Sequence, residues 1–210
     1  MKLKGLMFAM AALVTLTGSA YPAREKVFQS KSETTTLENL QTDFRGESNA
    51  KASYEVFAAK ADLEGYLGVA GLFRAAALSE SILAAKHAKA IEALGGKPKA
   101  DLEKPIVNST KENLQEAKKM ENRAGKKVYP AFLAKASQDK NQKAIYCFKA
   151  EMGAEAMHLQ MFSQALTNMN EWKAAKKFLV CQTCGYTTMD LNIKACPVCS
   201  QPRSQFTEVQ

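Results

Sequence analysis

Four cysteines near the end of the 210-residue chain form two pairs of equal spacing, Cys181-x2-Cys184 and Cys196-x2-Cys199, eleven residues apart. A two-residue gap favours chelation over bridging, so the spacing points to one tetrahedral all-sulfur site for iron or zinc. A structural zinc ribbon and a pair of disulfides are the alternatives. A second set of candidates lies upstream. When apolar residues are followed at alternating steps of three and four, each of four stretches carries one glutamate in its seam. These are Glu47 (between Phe44 and Ala50), Glu80 (between Ala76 and Leu83), Glu121 (between Ala117 and Ala124) and Glu155 (between Met152 and His158). His158 stands at i+3 from Glu155, on the same helical face. A buried carboxylate costs several kcal/mol unless it is paired or bound to a metal. Four acids converging in one core therefore require cations, whereas a seam shifted by one residue would make them ordinary exposed glutamates. Glutamates from separate helices together with Glu-x-x-His are the donor set of a carboxylate-bridged di-iron centre.

Such a centre needs four helices, and the sequence supplies four long periodic stretches with few breakers inside them. The first opens at a capping box, Thr35-x-x-Glu38, and runs to Glu64, where Gly65 stops it. The second runs from Leu67 to Leu94, before Gly95-Gly96. A loop with Pro98 and Pro105 is long enough to cross from one end of a bundle to the other. The third opens at Ser109-x-x-Glu112 and is expected to end near Ala134 with Pro130 kinking its last turn; the fourth is expected from after Ser137 to Met169. The cysteine segment is too short to bury a useful core and folds around its metal. The fold class is thus an all-α four-helix bundle over residues 33–170, followed by a small metal-stabilised β domain over 177–210.

Composition narrows the rest. With 46% hydrophobic and 24% charged residues, 11 Gly and 6 Pro, the chain is neither disordered nor a multi-span membrane protein. Its net charge of +8 comes partly from scattered lysine pairs such as Lys118-Lys119, Lys126-Lys127 and Lys176-Lys177, which suit solvated helix faces better than nucleic-acid binding. Lys2 and Lys4, an apolar run from Gly5 to Leu16 and the small residues Gly18-Ser19-Ala20 have the layout of a secretory signal peptide, residues 1–20. The run is shorter than the roughly 20 apolar residues of a membrane span. Export, to the bacterial periplasm, and no membrane span after cleavage are the expectations; an uncleaved anchor is the alternative. Cys147, in an apolar helical pattern, is expected to be an inert buried thiol.

Several stretches are similar to the rubrerythrin family: Gly46-Glu47-Ser48, Glu64-Gly65-Tyr66, Leu72-Phe73-Arg74-Ala75-Ala76-Ala77, Ser109-Thr110-Lys111-Glu112-Asn113-Leu114 and the cysteine tail. The resemblance runs from about Thr35 to Phe206 and implies a ferritin-like bundle followed by a rubredoxin-like domain. It implies that Glu47, Glu80, Glu121, Glu155 and His158 are iron ligands. It also implies that Tyr54 and Tyr129 hydrogen-bond near the di-iron centre, plain packing at the bundle wall being the alternative. In the family, electrons entering at the four-cysteine iron, here Cys181, Cys184, Cys196 and Cys199, pass to the di-iron centre, which reduces hydrogen peroxide. Family members commonly form homodimers in which one chain's rubredoxin-like domain faces the other's bundle. An electron donor is implied but not identified.

Two family ligands are absent. Leu83 stands where the family has the histidine of Glu-x-x-His in helix two, and Ala124 where it has a further glutamate after Glu121. One metal position keeps Glu121, His158 and the bridging Glu80 and Glu155. The other keeps Glu47 and the bridges alone, and is expected to bind weakly, take another ion or stay open. His87 lies about 10 Å beyond Glu80 along the helix, too far to ligate the same metal, and is expected at the surface or behind the ligands. The rival reading is an electron-transfer or metal-binding protein whose bundle has lost peroxidase activity. Ser200 stands where rubredoxins usually have Gly.

Overall fold

In the computed structural model, residues 34–123 and 128–210 are described; the expected signal peptide and Ala124 lie outside them. Helix α1 (Thr36–Leu63) starts where its capping box places it: the Thr35 side chain accepts from the Glu38 N–H, and the Glu38 carboxylate accepts from the Thr35 N–H at 2.7 Å. It ends at Gly65, whose φ of 76° is left-handed backbone available to glycine at little cost. The turn leads into α2 (Leu67–Ala93), the most apolar helix, packed along the length of α1. α2 meets the length and hydropathy expected of a membrane span, but it is largely buried as the central helix of this core.

The crossover runs without helix to Ser109 and is tied to α1 by Gln41 Nε2 donating to the Lys99 carbonyl (2.7 Å) and the Glu103 N–H donating to Asn49 Oδ1 (2.7 Å). The second capping box then opens α3 (Thr110–Arg123). Of the expected third helix, α4 (Tyr129–Gln138) carries the C-terminal part; it continues past Ala134 and has Pro130 in its first turn rather than its last. A proline lacks the N–H that a first turn leaves unpaired, so it is accommodated there. The fourth bundle helix, α5 (Gln142–Thr167), begins later than expected because α4 continues through Gln138 and Asn141 provides the cap. Tyr54, Phe57, Phe73 and Phe162 close one end of the core, with Phe73 and Phe162 centroids 5.4 Å apart.

The tail forms a three-stranded antiparallel sheet of order β2-β1-β3: β1 (Phe178–Cys181), β2 (Thr187–Thr188) and β3 (Phe206–Val209). Its two cysteine turns are near copies. Gly185 N–H donates to the Cys181 carbonyl (2.9 Å) and Ser200 N–H to the Cys196 carbonyl (2.8 Å), with φ of 77° and 60°. The serine that replaces the usual glycine thus adopts glycine's backbone conformation. The tail packs on its own bundle, within one compact unit from Thr34 to Gln210. Leu83, Ala150 and Ala154 of the bundle form a buried cluster with Leu179, Cys181, Cys184, Cys196 and Phe206.

Both turns yield a test. A Cβ on Gly185 would stand 2.8 Å from Ser79 Oγ and 3.1 Å from Leu83 Cγ. Gly185→Ala is expected to destabilise by about 1–3 kcal/mol, while Ser200→Gly is neutral or stabilises by up to about 1 kcal/mol. Thermal unfolding of the metal-loaded chain measures both; equal effects of the two changes would contradict the assignment.

Candidate metal centres

The four sulfurs of the tail lie within 4.8 Å of one another, with Cys181 Sγ to Cys199 Sγ at 3.6 Å and Cys184 Sγ to Cys196 Sγ at 3.4 Å. A tetrahedral ion with metal–sulfur distances of about 2.3 Å separates its ligands by about 3.8 Å. The cysteines are free rather than disulfide-bonded, and the spacing fits a chelate. Backbone N–H groups point at sulfur as such turns require: those of Thr183 and Cys184 at Cys181, that of Tyr186 at Cys184 and that of Gln201 at Cys199. A hydrogen bond from Cys184 and these N–H groups hold the Cys181 thiol down at about 5, ready to ligate as thiolate, whereas the same contact pushes Cys184 up. Cys147, outside the cluster, is buried and pushed up to about 11 by that burial, as an inert thiol should be.

In the bundle, all four seam glutamates and His158 are buried, none more than 5% exposed. Glu80, Glu121 and His158 bring ligand atoms within 4.8 Å of one another; His158 Nδ1 is 3.1 Å from Glu80 Oε1 and 3.4 Å from Glu121 Oε1. The other ring nitrogen fixes the tautomer. Thr187 on β2 spends its hydroxyl proton on the Gly185 carbonyl (3.0 Å), so its oxygen accepts from His158 Nε2–H at 3.2 Å. Nδ1 therefore presents a lone pair to two carboxylates, an arrangement that repels itself unless a cation sits among them. Tyr54 donates to Glu121 Oε1 (2.6 Å) and Tyr129 to Glu155 Oε1 (2.6 Å). Burial first, and the neighbouring carboxylates second, hold both phenols well above their usual range, so they remain donors. Between them lies a cavity of about 250 Å³ lined by Glu47, Tyr54, Glu80, Glu121, Tyr129 and Glu155.

The structure adds two acids that the seam reading missed, Asp43 and Glu151, and gathers them around His87. Asp43, His87 and Glu151 are buried and bring their ligand atoms within 4.8 Å of one another, and Glu151 also joins Glu47 and Glu155. His87, expected at the surface or behind the ligands, is fully buried with Nε2 3.0 Å from Glu151 Oε2. Asp43 and Glu151 each precede a seam glutamate by one turn, i and i+4. That spacing was the available signal. Leu83 is buried against the cysteine turn.

Burial dominates the acid chemistry here. It pushes Asp43 up to about 8 and Glu80, Glu151 and Glu155 well above the usual carboxylate range, with neighbouring acids adding to the rise in Glu80 and Glu151. Burial also raises Glu47, but hydrogen bonds from Glu80 and Glu151 outweigh it and leave that carboxyl below its ordinary value. Buried Glu47 Oε2, Glu80 Oε2, Glu155 Oε2 and His158 Nδ1 have no hydrogen-bond partner. Orphaned acceptors around a polar cavity fit bound metal ions.

Comparison with known proteins agrees with this geometry. The family model described as rubrerythrin matches residues 38–166. Nigerythrin of Nitratidesulfovibrio vulgaris is 33% identical over 173 residues, 82% of this chain and 85% of that one. Rubrerythrin-2 of Clostridium acetobutylicum is 31% identical over 181 residues, 81% of this chain and 95% of that one. The solved structure of fully reduced, all-ferrous nigerythrin superposes with a TM-score of 0.78 at 28% identity, over 96% of this chain and 100% of that chain. Bacterioferritin of Rhodobacter capsulatus, at 20% identity and a TM-score of 0.59 over 65% of this chain and 86% of that one, shares the bundle fold.

The buried acids predict a pH dependence for the metal-free protein. A group whose native pKa exceeds its unfolded value contributes stability that is complete below the unfolded pKa and lost as pH rises through the native one. Asp43 loses it between 3.8 and about 8, and Glu80, Glu151 and Glu155 act in the same direction. Burial pushes His87 from 6.5 down to about 4, so its contribution is already complete above 6.5. Between pH 6.5 and 8 the stability of the metal-free protein should therefore fall by about 1.4 kcal/mol per pH unit for each extra proton the native state holds, and its Tm should fall with it. Added divalent metal should abolish the fall; a flat or rising Tm without metal would contradict it.

Proposed function

This chain belongs to the rubrerythrin family, and from that premise we propose that it is a non-haem iron oxidoreductase that reduces hydrogen peroxide at its bundle centre with electrons delivered through the four-cysteine tail. The observation that carries the proposal is the hydrogen-bonded chain from one centre to the other: the Gly185 carbonyl accepts from Thr187, and Thr187 accepts from His158, which faces Glu80 and Glu121. Gly185 follows the ligand candidate Cys184, and Ser79 Oγ of α2 donates to the same carbonyl at 2.7 Å. The path lies within one chain, unlike the two-chain arrangement common in the family.

Cys181, Cys184, Cys196 and Cys199 would hold one iron, and Glu47, Glu80, Glu121, Glu155 and His158 the bundle iron. Bound iron supplies the single-electron chemistry that these side chains cannot. The chain's own groups do the rest. The cavity admits a small oxidant, the aromatic cluster of Tyr54, Phe57, Phe73 and Phe162 excludes bulk water, and Tyr54 Oη and Tyr129 Oη hold protons beside it. Reduction of one peroxide to two waters takes two electrons and two protons.

The rival reading, a carrier whose bundle has lost catalysis, is favoured by Leu83, which is committed to the cysteine-turn interface. Peroxide mixed with the anaerobically reduced, iron-loaded protein separates the two. The proposal expects bundle iron to return to the ferric state within turnover times, followed by the thiolate iron; a response from the thiolate centre alone would make the protein a carrier. Ferric iron in the tail is red and zinc colourless, so the visible spectrum also decides that metal.

Thr187→Val removes the group that orients His158. It should weaken metal binding at the Glu121 and His158 position by about 10–100-fold while leaving the spectrum of the four-cysteine site intact. Unchanged bundle affinity would remove the orienting role. For location, the layout of residues 1–20 supports export to the periplasm, with cleavage after Ala20; the N-terminal mass of the protein recovered from its native host tests this.

A further inference from the structure

The family's second metal position is short of ligands in this chain, but the buried donors continue in one direction. Asp43 lies one turn before Glu47 on α1, Glu151 one turn before Glu155 on α5, and His87 one turn after Leu83 on α2. α1 and α2 form a hairpin about the turn at Gly65, so a step back on one and a step forward on the other move the same way, by about 6 Å. Three donors displaced in register on three helices meet rather than scatter: His87 Nε2 is 3.0 Å from Glu151 Oε2 and 3.5 Å from Asp43 Oδ2.

We propose that Asp43, His87 and Glu151 form a metal site of their own, one helical turn from the position that Leu83 and Ala124 have lost, and that it binds a first-row divalent cation such as iron or manganese. Adjacent ligands of a six-coordinate ion at about 2.1 Å stand about 3 Å apart, which matches the separations seen. One imidazole and two carboxylates form a donor set suited to Fe²⁺ or Mn²⁺. The independent pointer is Asp43 Oδ2. It is directed into the cluster from a side chain only 6% exposed and has no hydrogen-bond partner. His87 Nδ1 likewise has none, so Nε2 is the one ring nitrogen of His87 directed at oxygen ligands. Glu47, whose carboxylate groups with Glu151 and Glu155, and Tyr129, whose hydroxyl lies 3.1 Å from Glu151 Oε1 and 2.6 Å from Glu155 Oε1, link this site to the other. The bundle then holds two cations with the second moved along the axis. The site does not depend on the reaction proposed above.

The test uses the full chain with zinc in its four-cysteine site and the bundle stripped of metal, titrated with Mn²⁺ and read by the electron paramagnetic resonance of free Mn²⁺. Wild type should bind two bundle equivalents. Asp43→Asn, His87→Gln and Glu151→Gln should each lose one, with at least a tenfold loss of affinity, whereas Glu121→Gln should lose the other and keep this one. Fewer than two equivalents in wild type, or two surviving in the Asp43, His87 and Glu151 variants, overturns the site. Should those variants fail to fold, anomalous scattering from wild-type crystals grown with Mn²⁺ decides it. A peak bounded by Asp43, His87 and Glu151 supports the site; manganese confined to the Glu80, Glu121 and His158 cluster refutes it. Peroxide turnover is not read here, so loss of this site and loss of the proposed reaction are separate results.

Discussion

Six carboxyl groups buried in one bundle set the terms for everything else. Asp43, Glu47, Glu80, Glu121, Glu151 and Glu155 share the interior with two histidines, and among the described residues no buried lysine or arginine balances them. Left charged, such a group would cost more than a domain's usual net stability. Their burial is therefore intelligible as a binding device whose strain is relieved by positive ions, and in the metal-free state by protons. The surrounding alanine-rich faces of α1, α2 and α5 pack closely enough to hold the acids in place.

The second organising contact is the seat of the tail. β2 supplies Thr187 to His158, the first cysteine turn supplies a carbonyl to Ser79, and Leu83 fills the apolar space beneath the sulfurs. Gly153 leaves room for Val198, since a Cβ there would come within 2.7 Å of it. A histidine at position 83 could not provide the same apolar contact. Leu83 thus serves the docking of the two parts.

Much of this was legible in the residues. Glu-x-x-His on a core helix, one glutamate per seam, the twin capping boxes and the paired cysteines each have a local physical cause, and the structure brings those residues together. What escaped was set by geometry that a narrow seam does not capture. A helix in a globular core buries a stripe wider than alternating steps of three and four. Phe44 and Met152 occupy the seam positions yet are half-buried, while their neighbours Asp43 and Glu151 are buried. Polar residues next to bulky apolar ones look like a solvated edge until the partner helix is known. His87 stands in the seam of α2, and its burial rather than exposure follows from what α1 and α5 present opposite it.

The seating of the tail also bears on how the two parts can be separated. Leu83, Ala150 and Ala154 meet in a dry patch on the flank of α2 and α5, roofed by Leu179 and Phe206. Cut the chain before the sheet and that flank becomes an oily strip facing water, while His158 loses its threonine. The helical part is therefore no free-standing module onto which any small sulfur–metal protein could be swapped; it was built around this roof, and without it would be prone to aggregate.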